Sequence, residues 1–287
     1  MTFSLFAGER QIDLSSPVCM GIINATPDSF SDGSEFASAK VSHFVVDVDK
    51  VLGRVKILID EGARIIDIGG ESTRPGALDV SVEEELARVI PLIEAIRNNF
   101  DVCISVDTSS AVVMSEAINA GAELINDIRA LTNPETLAVI ANSKAAICLM
   151  HMQGQPRTMQ EEYHYENVVT DVVDFLKQRI EACENAGINK ERLLVDPGFG
   201  FGKSLEHNFQ LLRNLTQFSA LKLPVLVGLS RKSMIGRLVN RPPRERVAGT
   251  LAATVLALEN GALIVRTHDV AATVDAIRVH SVYAEAL

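Results

Sequence analysis

The 287-residue sequence is short of cysteine, has no long apolar run and carries no excess of positive charge. Its four cysteines, Cys19, Cys103, Cys148 and Cys183, form no CxxC pair, and three lie inside apolar runs that read as strands. Buried, reduced thiols in a cytoplasmic protein are expected, rather than disulfides or a zinc site. No stretch approaches the roughly 18 apolar residues of a membrane-spanning helix. The opening MTFSLFAGERQIDLSS has no charged segment leading into an apolar one, so no signal peptide is expected. Lys and Arg number 27 against 37 Asp and Glu, a net charge of −10. That argues against a nucleic-acid coat or an anionic-membrane binder, but leaves room for a local basic pocket for a phosphorylated small molecule. No GxGxxG follows the first apolar run. Gly202-Lys203-Ser204 looks like the end of a phosphate-binding P-loop, but the spacing puts Pro197 where the first glycine is required. No linker, internal repeat or low-complexity tract divides residues 1–287, which read as a single domain.

Hydrophobic residues make up 47% of the chain and charged residues 22%, enough to bury a large core. Eight short, nearly continuous apolar runs read as strands: Val18–Ile23, Arg64–Ile68, Val102–Val106, Glu123–Asn126, Ala145–His151, Arg192–Val195, Pro224–Leu229 and Ala262–Arg266. Continuous apolar character is expected of parallel strands covered on both faces. Helical signals separate them. Ser81 precedes Glu83, Glu84 and Glu85 as an N-cap, and Leu86, Val89, Ile90, Ile93 and Ile96 follow at helical spacing. Val168 to Ile180 repeats that spacing, and Val247–Leu258 is an alanine-rich apolar helix. Gly62, Gly121, Gly187 and Gly261 stand just before strands, as glycines ending helices do. Eight strand–helix units at this length predict an α/β fold, the TIM (β/α)8 barrel, with an open doubly wound sheet as the competitor. Residues 1–16, with Phe3–Phe6 and Gln11–Leu14 around Gly8, read as an N-terminal β-hairpin closing the barrel bottom.

In such a barrel the active site lies at the C-terminal ends of the strands. All eight runs end in polar residues: Asn24, Glu71 to Arg74, Asp107, Asn126, His151, Asp196, Ser230 to Lys232, and Arg266 to His268. Taken singly, each has an ordinary reading. An Asp after a strand is usually a helix cap, His151 alone is a hydrogen-bonded core residue, and Arg231-Lys232 is a solvated pair. Eight of eight converging on one mouth points to a pocket. Asp107, Asn126 and Asp196 suit the N–H-rich edge of a heterocycle. Arg74, Arg266 and His268, with Asn24, suit phosphate oxygens. Lys232, at the start of a helix, is placed to point inward.

Seven segments carry a resemblance to a known family. They are Gly21-Ile-Ile-Asn-Ala-Thr-Pro-Asp-Ser-Phe-Ser-Asp-Gly33, Asp67-Ile-Gly-Gly-Glu-Ser-Thr-Arg-Pro-Gly76, Ser105-Val-Asp-Thr108, Asn126-Asp-Ile128, Asp196-Pro-Gly-Phe-Gly-Phe-Gly202, Ser230-Arg-Lys-Ser233 and Arg266-Thr-His-Asp269. From about Val18 to Arg278 the chain resembles the dihydropteroate synthases. The resemblance implies a transferase of folate biosynthesis that condenses 6-hydroxymethyl-7,8-dihydropterin diphosphate with p-aminobenzoate, giving 7,8-dihydropteroate and diphosphate. It implies a pterin held by Asp107, Asn126, Asp196 and Lys232, with Met150 and Gly228 as further substrate-binding residues. Asn24 would help to hold Mg²⁺ on the diphosphate, and Arg266 and His268 would bind the phosphates. Thr73, Arg74, Pro75, Phe201, Ser230 and Lys232 would lie at the aminobenzoate end, where sulfonamides bind as possible inhibitors, with Phe30 and Arg74 swinging in over it and Asp32 a further substrate-binding residue. The loops at Thr26–Gly33 and Ser72–Gly76 would close over the site after the first substrate binds. The family is commonly dimeric, and the apolar helices Val247–Leu258 and Val270–Val279 offer a face for a homodimer. One departure is a longer stretch between Gly33 and Glu61, with an extra polar loop at Ser34–Lys40 and an early helix extension at His43–Val51.

The implied chemistry needs no protein nucleophile. Cationic groups and Mg²⁺ stabilise the departing diphosphate, Asp107 and Asp196 stabilise positive charge on the pterin, and the aminobenzoate nitrogen attacks. A pterin-binding methyltransferase domain would share the barrel and the pterin contacts without phosphate-binding residues. A non-catalytic binding module would share only the fold.

Overall fold

A computed structural model of the chain describes residues 3–26, 46–71, 80–154 and 163–286. After a β1–β2 hairpin (Ser4–Ala7, Arg10–Asp13) come eight strands: β3 (Val18–Asn24), β4 (Ile65–Gly69), β5 (Cys103–Asp107), β6 (Leu124–Asp127), β7 (Ala146–Met150), β8 (Leu193–Asp196), β9 (Val225–Val227) and β10 (Ala262–Thr267). They pair in parallel and close, with β10 against β3. The open-sheet alternative is therefore excluded: an open sheet has two edge strands, and here each of the eight strands is hydrogen-bonded to a neighbour on both sides. Predicted and observed strands agree to within a few residues at either end, the largest trimming being at β9.

Around the barrel run α1 (Val48–Asp60), α2 (Val82–Asn99), α3 (Ala111–Ala120), α4 (Pro134–Ala141), α5 (Val168–Asn185), α6 (Leu205–Arg213), α7 (Ser233–Val239), α8 (Val247–Glu259) and α9 (Val270–Glu285). The Ser81 hydroxyl accepts from the Glu84 amide, as its position before three glutamates predicted. Gly121 ends α3 at a φ of +113°, a conformation that costs a side-chain-bearing residue about 1 kcal/mol or more. The expected early extension of the first helix over His43–Val51 is shorter than predicted. Asp47 caps the helix by accepting from the Lys50 amide, so α1 begins at Val48. Most of the lengthened stretch, residues 27–45, lies outside the described residues.

Side chains of a strand alternate between its two faces. Ile66, Ile68, Ile104, Val106, Ile125, Ile147 and Val195 face outward into the layer shared with the helices. Met20, Ile65, Cys103, Leu124, Leu194 and Ile264 face inward at the start of the strands. Leu5, Ala7, Ile12 and Leu14 of the hairpin bury against that inner set. The Gly8 amide donates to the Lys144 carbonyl, and Arg10 pairs with Asp101 at 2.5 Å. The hairpin thus closes the bottom, as expected, and each buried Leu or Ile there contributes about 1.5–3 kcal/mol. The apolar plug confines polar inward positions to the other end of the barrel. All four cysteines are buried and unpaired with one another.

Candidate active site

The same parity that points Ile65, Cys103, Leu124, Leu194, Leu226 and Ile264 inward at the bottom points the residues two further along inward at the top. These are Asp67, Ser105, Asn126, Asp196, Gly228 and Arg266. One more step on β5 reaches Asp107, and on β7 Met150. Strand register brings them side by side: Asp67 opposite Ser105, Asp107 opposite Asn126, and Met150 opposite Asp196.

Arg266 Nε donates to Asp67 Oδ2 at 2.6 Å, and its Nη2 donates to Asp107 Oδ2 at 3.0 Å. Asn126 Nδ2 donates to the same Asp67 oxygen at 3.3 Å, and the Ser105 hydroxyl donates to Asp67 Oδ1 at 2.5 Å. Two acceptor oxygens, Asp107 Oδ1 and Asn126 Oδ1, are buried with no hydrogen-bond partner. A buried, unpaired acceptor is costly unless a ligand satisfies it. Burial raises the Asp107 carboxyl above the usual carboxylate range, Arg266 opposes that rise, and the nearby Asp67 and Glu85 add to it.

Asp196 ends β8 and accepts from the Gly198 amide at 2.7 Å. Burial raises its carboxyl, and Lys232 opposes the shift. Lys232, the residue before α7, turns into the mouth: its ammonium donates to the Phe199 carbonyl and lies 4.5 Å from the centre of the Phe201 ring. Burial pushes that ammonium down to about 8, with Asp196 resisting. Gly228 lies beneath it. A Cβ there would sit 3.8 Å from Lys232 Nζ, an ordinary contact distance.

On the adjacent side, His268 Nδ1 lies 2.9 Å from the Ser230 hydroxyl and its Nε2 lies 3.5 Å from Asn24 Nδ2. The His268 amide also donates to Ser230 Oγ. Asn24, Ser230 and His268 are therefore one group beside the Arg266 guanidinium. Arg231 and Lys232 part company. Arg231 makes a two-pronged pair with Asp269, at 2.6 and 3.0 Å, away from the role a phosphate ligand would need.

Of the residues picked out in the sequence, Asn24, Asp107, Asn126, Met150, Asp196, Phe201, Gly228, Ser230, Lys232, Arg266 and His268 gather at this mouth. Phe30, Asp32, Thr73, Arg74 and Pro75, with most of the two loops expected to close, lie outside the described residues. The sequence motifs assign no role to Asp67 or Lys203. Asp67 had a signal: a carboxylate in mid-strand, in phase with inward-facing Ile65. Lys203 had only the discarded P-loop pattern. It is buried, and its ammonium meets His151 Nδ1 at 3.0 Å, the Gly198 carbonyl at 2.8 Å and the Phe201 carbonyl at 3.0 Å. His151 is thus the hydrogen-bonded core residue that its ordinary reading predicted. Burial, and then Lys203, hold it down to about 2, so it accepts as a neutral ring.

Among the described residues no cluster of three His, Cys, Asp or Glu side chains surrounds a cation position. Carboxylate and amide acceptors on one side, with Arg266, His268 and Asn24 on the other, suit a ligand with a donor-rich ring and an anionic tail.

The family model described as pterin binding enzyme matches residues 20–268. The dihydropteroate synthase of Haemophilus influenzae is 54% identical over 282 residues, 98% of this chain and 99% of that protein. The crystal structure of the Yersinia pestis dihydropteroate synthase with a sulfonamide drug complex superposes with a TM-score of 0.93 at 49% identity, covering 99% of this chain and 100% of that one. The Burkholderia cenocepacia dihydropteroate synthase complexed with 7,8-dihydropteroate superposes at 0.87 and 44% identity, covering 100% and 98%. With a family model over most of the chain, a closed barrel that superposes on solved relatives, and identity above half over nearly its whole length, the chain belongs to the pterin binding enzymes as a dihydropteroate synthase, a transferase of folate biosynthesis.

Proposed function

We propose that this mouth is where 6-hydroxymethyl-7,8-dihydropterin diphosphate and p-aminobenzoate are joined, with the roles divided by chemistry. The observation that carries the division is the pair of buried, unpartnered acceptors, Asp107 Oδ1 and Asn126 Oδ1. With Asp196 they offer the N–H groups of a pterin their missing acceptors, and an anionic tail on the same ring reaches Arg266, His268 and Asn24. That the Burkholderia cenocepacia relative holds 7,8-dihydropteroate, the condensation product, supports the assignment.

Asp107 and Asp196 hold the ring and stabilise positive charge on it as diphosphate leaves. Arg266 and His268 bind the leaving phosphates. The Asn24 side-chain oxygen is a hard ligand at the strand end, which fits Mg²⁺ carried mainly by the diphosphate and water. Bound there, the cation would supply neutralising charge to the leaving group. Lys232, Phe201 and Ser230 take the aminobenzoate side, together with Thr73, Arg74, Pro75, Phe30 and Asp32, and a sulfonamide would compete there, as the Yersinia pestis complex suggests. The working unit is one domain and a homodimer across the exposed apolar band of α8 and α9. The free, buried thiols suit a reducing cytoplasm. Among the described residues no helix is long and apolar enough to cross a membrane.

The test is a diphosphate-release assay requiring both substrates. His268→Ala should cut turnover by roughly 10²-fold while leaving the affinity for the phosphate-free dihydropterin alcohol within about threefold. His268 is the better probe than Arg266, because Arg266 also braces Asp107 and its removal would disturb both ends of the site. No release in the wild type, or equal losses for both ligands in the variant, defeats the assignment.

A further inference from the structure

Asp67 touches no opening of the pocket: it is fully buried, one layer below Asp107 and Asn126. Yet its carboxylate receives donors from three strands besides its own, namely Arg266 of β10, Ser105 of β5 and Asn126 of β6. A carboxylate can only accept. Asn126 can meet it only with its NH₂ group, since a flipped amide would press its own oxygen against a carboxylate oxygen. The Nδ2 is therefore drawn down to Asp67, and Oδ1 is left facing away, buried and unpaired. The same Asp67 oxygen holds Arg266 Nε, which lays the guanidinium against Asp107 Oδ2 and leaves Asp107 Oδ1 as the second unpaired acceptor.

We infer that Asp67 is a positioning residue for the condensation: by accepting from Asn126 Nδ2 and Arg266 Nε it makes Asn126 an acceptor and locks Asp107, so that the pocket reads a donor-bearing ring edge before any ligand arrives. The inference rests on reading the mouth as the pterin site. Without Asp67 the Asn126 amide is free to turn, and a rotated amide offers the ring edge a donor against its own donors. A wrong orientation of one buried hydrogen bond costs about tenfold in affinity or more.

The experiment is a thermodynamic cycle read by titration calorimetry with the phosphate-free dihydropterin alcohol. Asp67→Ala in the otherwise wild-type chain should weaken binding by about tenfold or more. Asp67→Asn should recover to within about threefold, because its oxygen still accepts from Asn126 and Arg266 while its NH₂ donates to Ser105 Oγ. In an Asn126→Ala background, Asp67→Ala should cost clearly less than in the otherwise wild-type chain, since the route through Asn126 is gone and only the one through Arg266 and Asp107 remains. Asp67→Ser, whose short hydroxyl stays near Ser105 but does not reach Asn126, repeats the cycle should Asp67→Ala fold poorly. Wild-type affinity in Asp67→Ala and Asp67→Ser, or the same loss with and without Asn126, overturns the inference and makes Asp67 a structural staple. Unchanged binding in Asn126→Ala alone overturns instead the pterin reading on which the inference stands.

Discussion

Lys232 sits where burial and a carboxylate compete for one proton. Burial favours the neutral amine and Asp196 favours the ammonium, and the balance leaves it at about 8. The charged form is the one that pairs with Asp196 and attracts an anionic aminobenzoate, and it is populated below that value. As pH rises through about 8 the ammonium is lost, so kcat/KM should fall on the alkaline side. Lys232→Arg, which stays charged across the range, should remove that fall whatever it does to the maximum rate. A pH–rate profile of the two proteins checks this, and an alkaline limb that persists in the arginine variant would assign it to another group. Arg231, its neighbour in sequence, is spent on Asp269 and should leave the profile alone.

The loop from Gly198 to Lys203 shows how an element without regular secondary structure holds a site. Gly198, Gly200 and Gly202 all have positive φ, which turns the chain back tightly between Asp196 and α6. Lys203 replaces the missing hydrogen-bond ladder, with one ammonium satisfying the carbonyls of Gly198 and Phe201. The result presents the Phe199 carbonyl and the Phe201 ring to Lys232. At Gly198, φ is +71° and an added Cβ would overlap the carbonyl oxygen of His151. Gly198→Ala should therefore lose about 2–4 kcal/mol of stability, from strain and displaced backbone together. Urea unfolding monitored by circular dichroism measures it, and an unchanged midpoint would mean the loop is not seated this way. Gly187, with open space around its Cβ position, should tolerate alanine better despite its φ of +86°.

At the scale of the whole molecule, the barrel's two ends have different solvents. The bottom is sealed by the hairpin, while polar groups gather at the top. A third surface remains: α8 and α9 pack together, and on α9 Val279 is 71% exposed, Val282 69% and Tyr283 55%. A two-fold axis through such a face would bury it against its own copy. On the proposed dimer, Val282→Asp should sediment as a monomer at concentrations where the wild type sediments as a dimer, with the barrel still folded. A wild-type chain that sediments as a monomer would remove the dimer from the account.

The primary structure alone determined the eight apolar runs, the capped helices between them and the convergence of polar residues at strand ends. Those features are local: alternation along a strand, spacing along a helix and a cap at its start are written in neighbouring residues. The near agreement of strand ends follows from that. The pairing of Arg266 with Asp67 and Asp107 was not local, since these residues are 199 and 159 positions apart. Only closure of the barrel brings β10 against β3 and so lays one guanidinium across two carboxylates. The same holds for Lys203, whose sequence context resembles a phosphate loop and whose partners come from His151, just after β7, and from its own turn. Asp67 lies in the Asp67–Gly76 motif, in phase with inward-facing residues, yet its role depends on which donors arrive from β5, β6 and β10. A carboxylate's chemistry is legible in one letter, but the groups that donate to it are chosen by the fold.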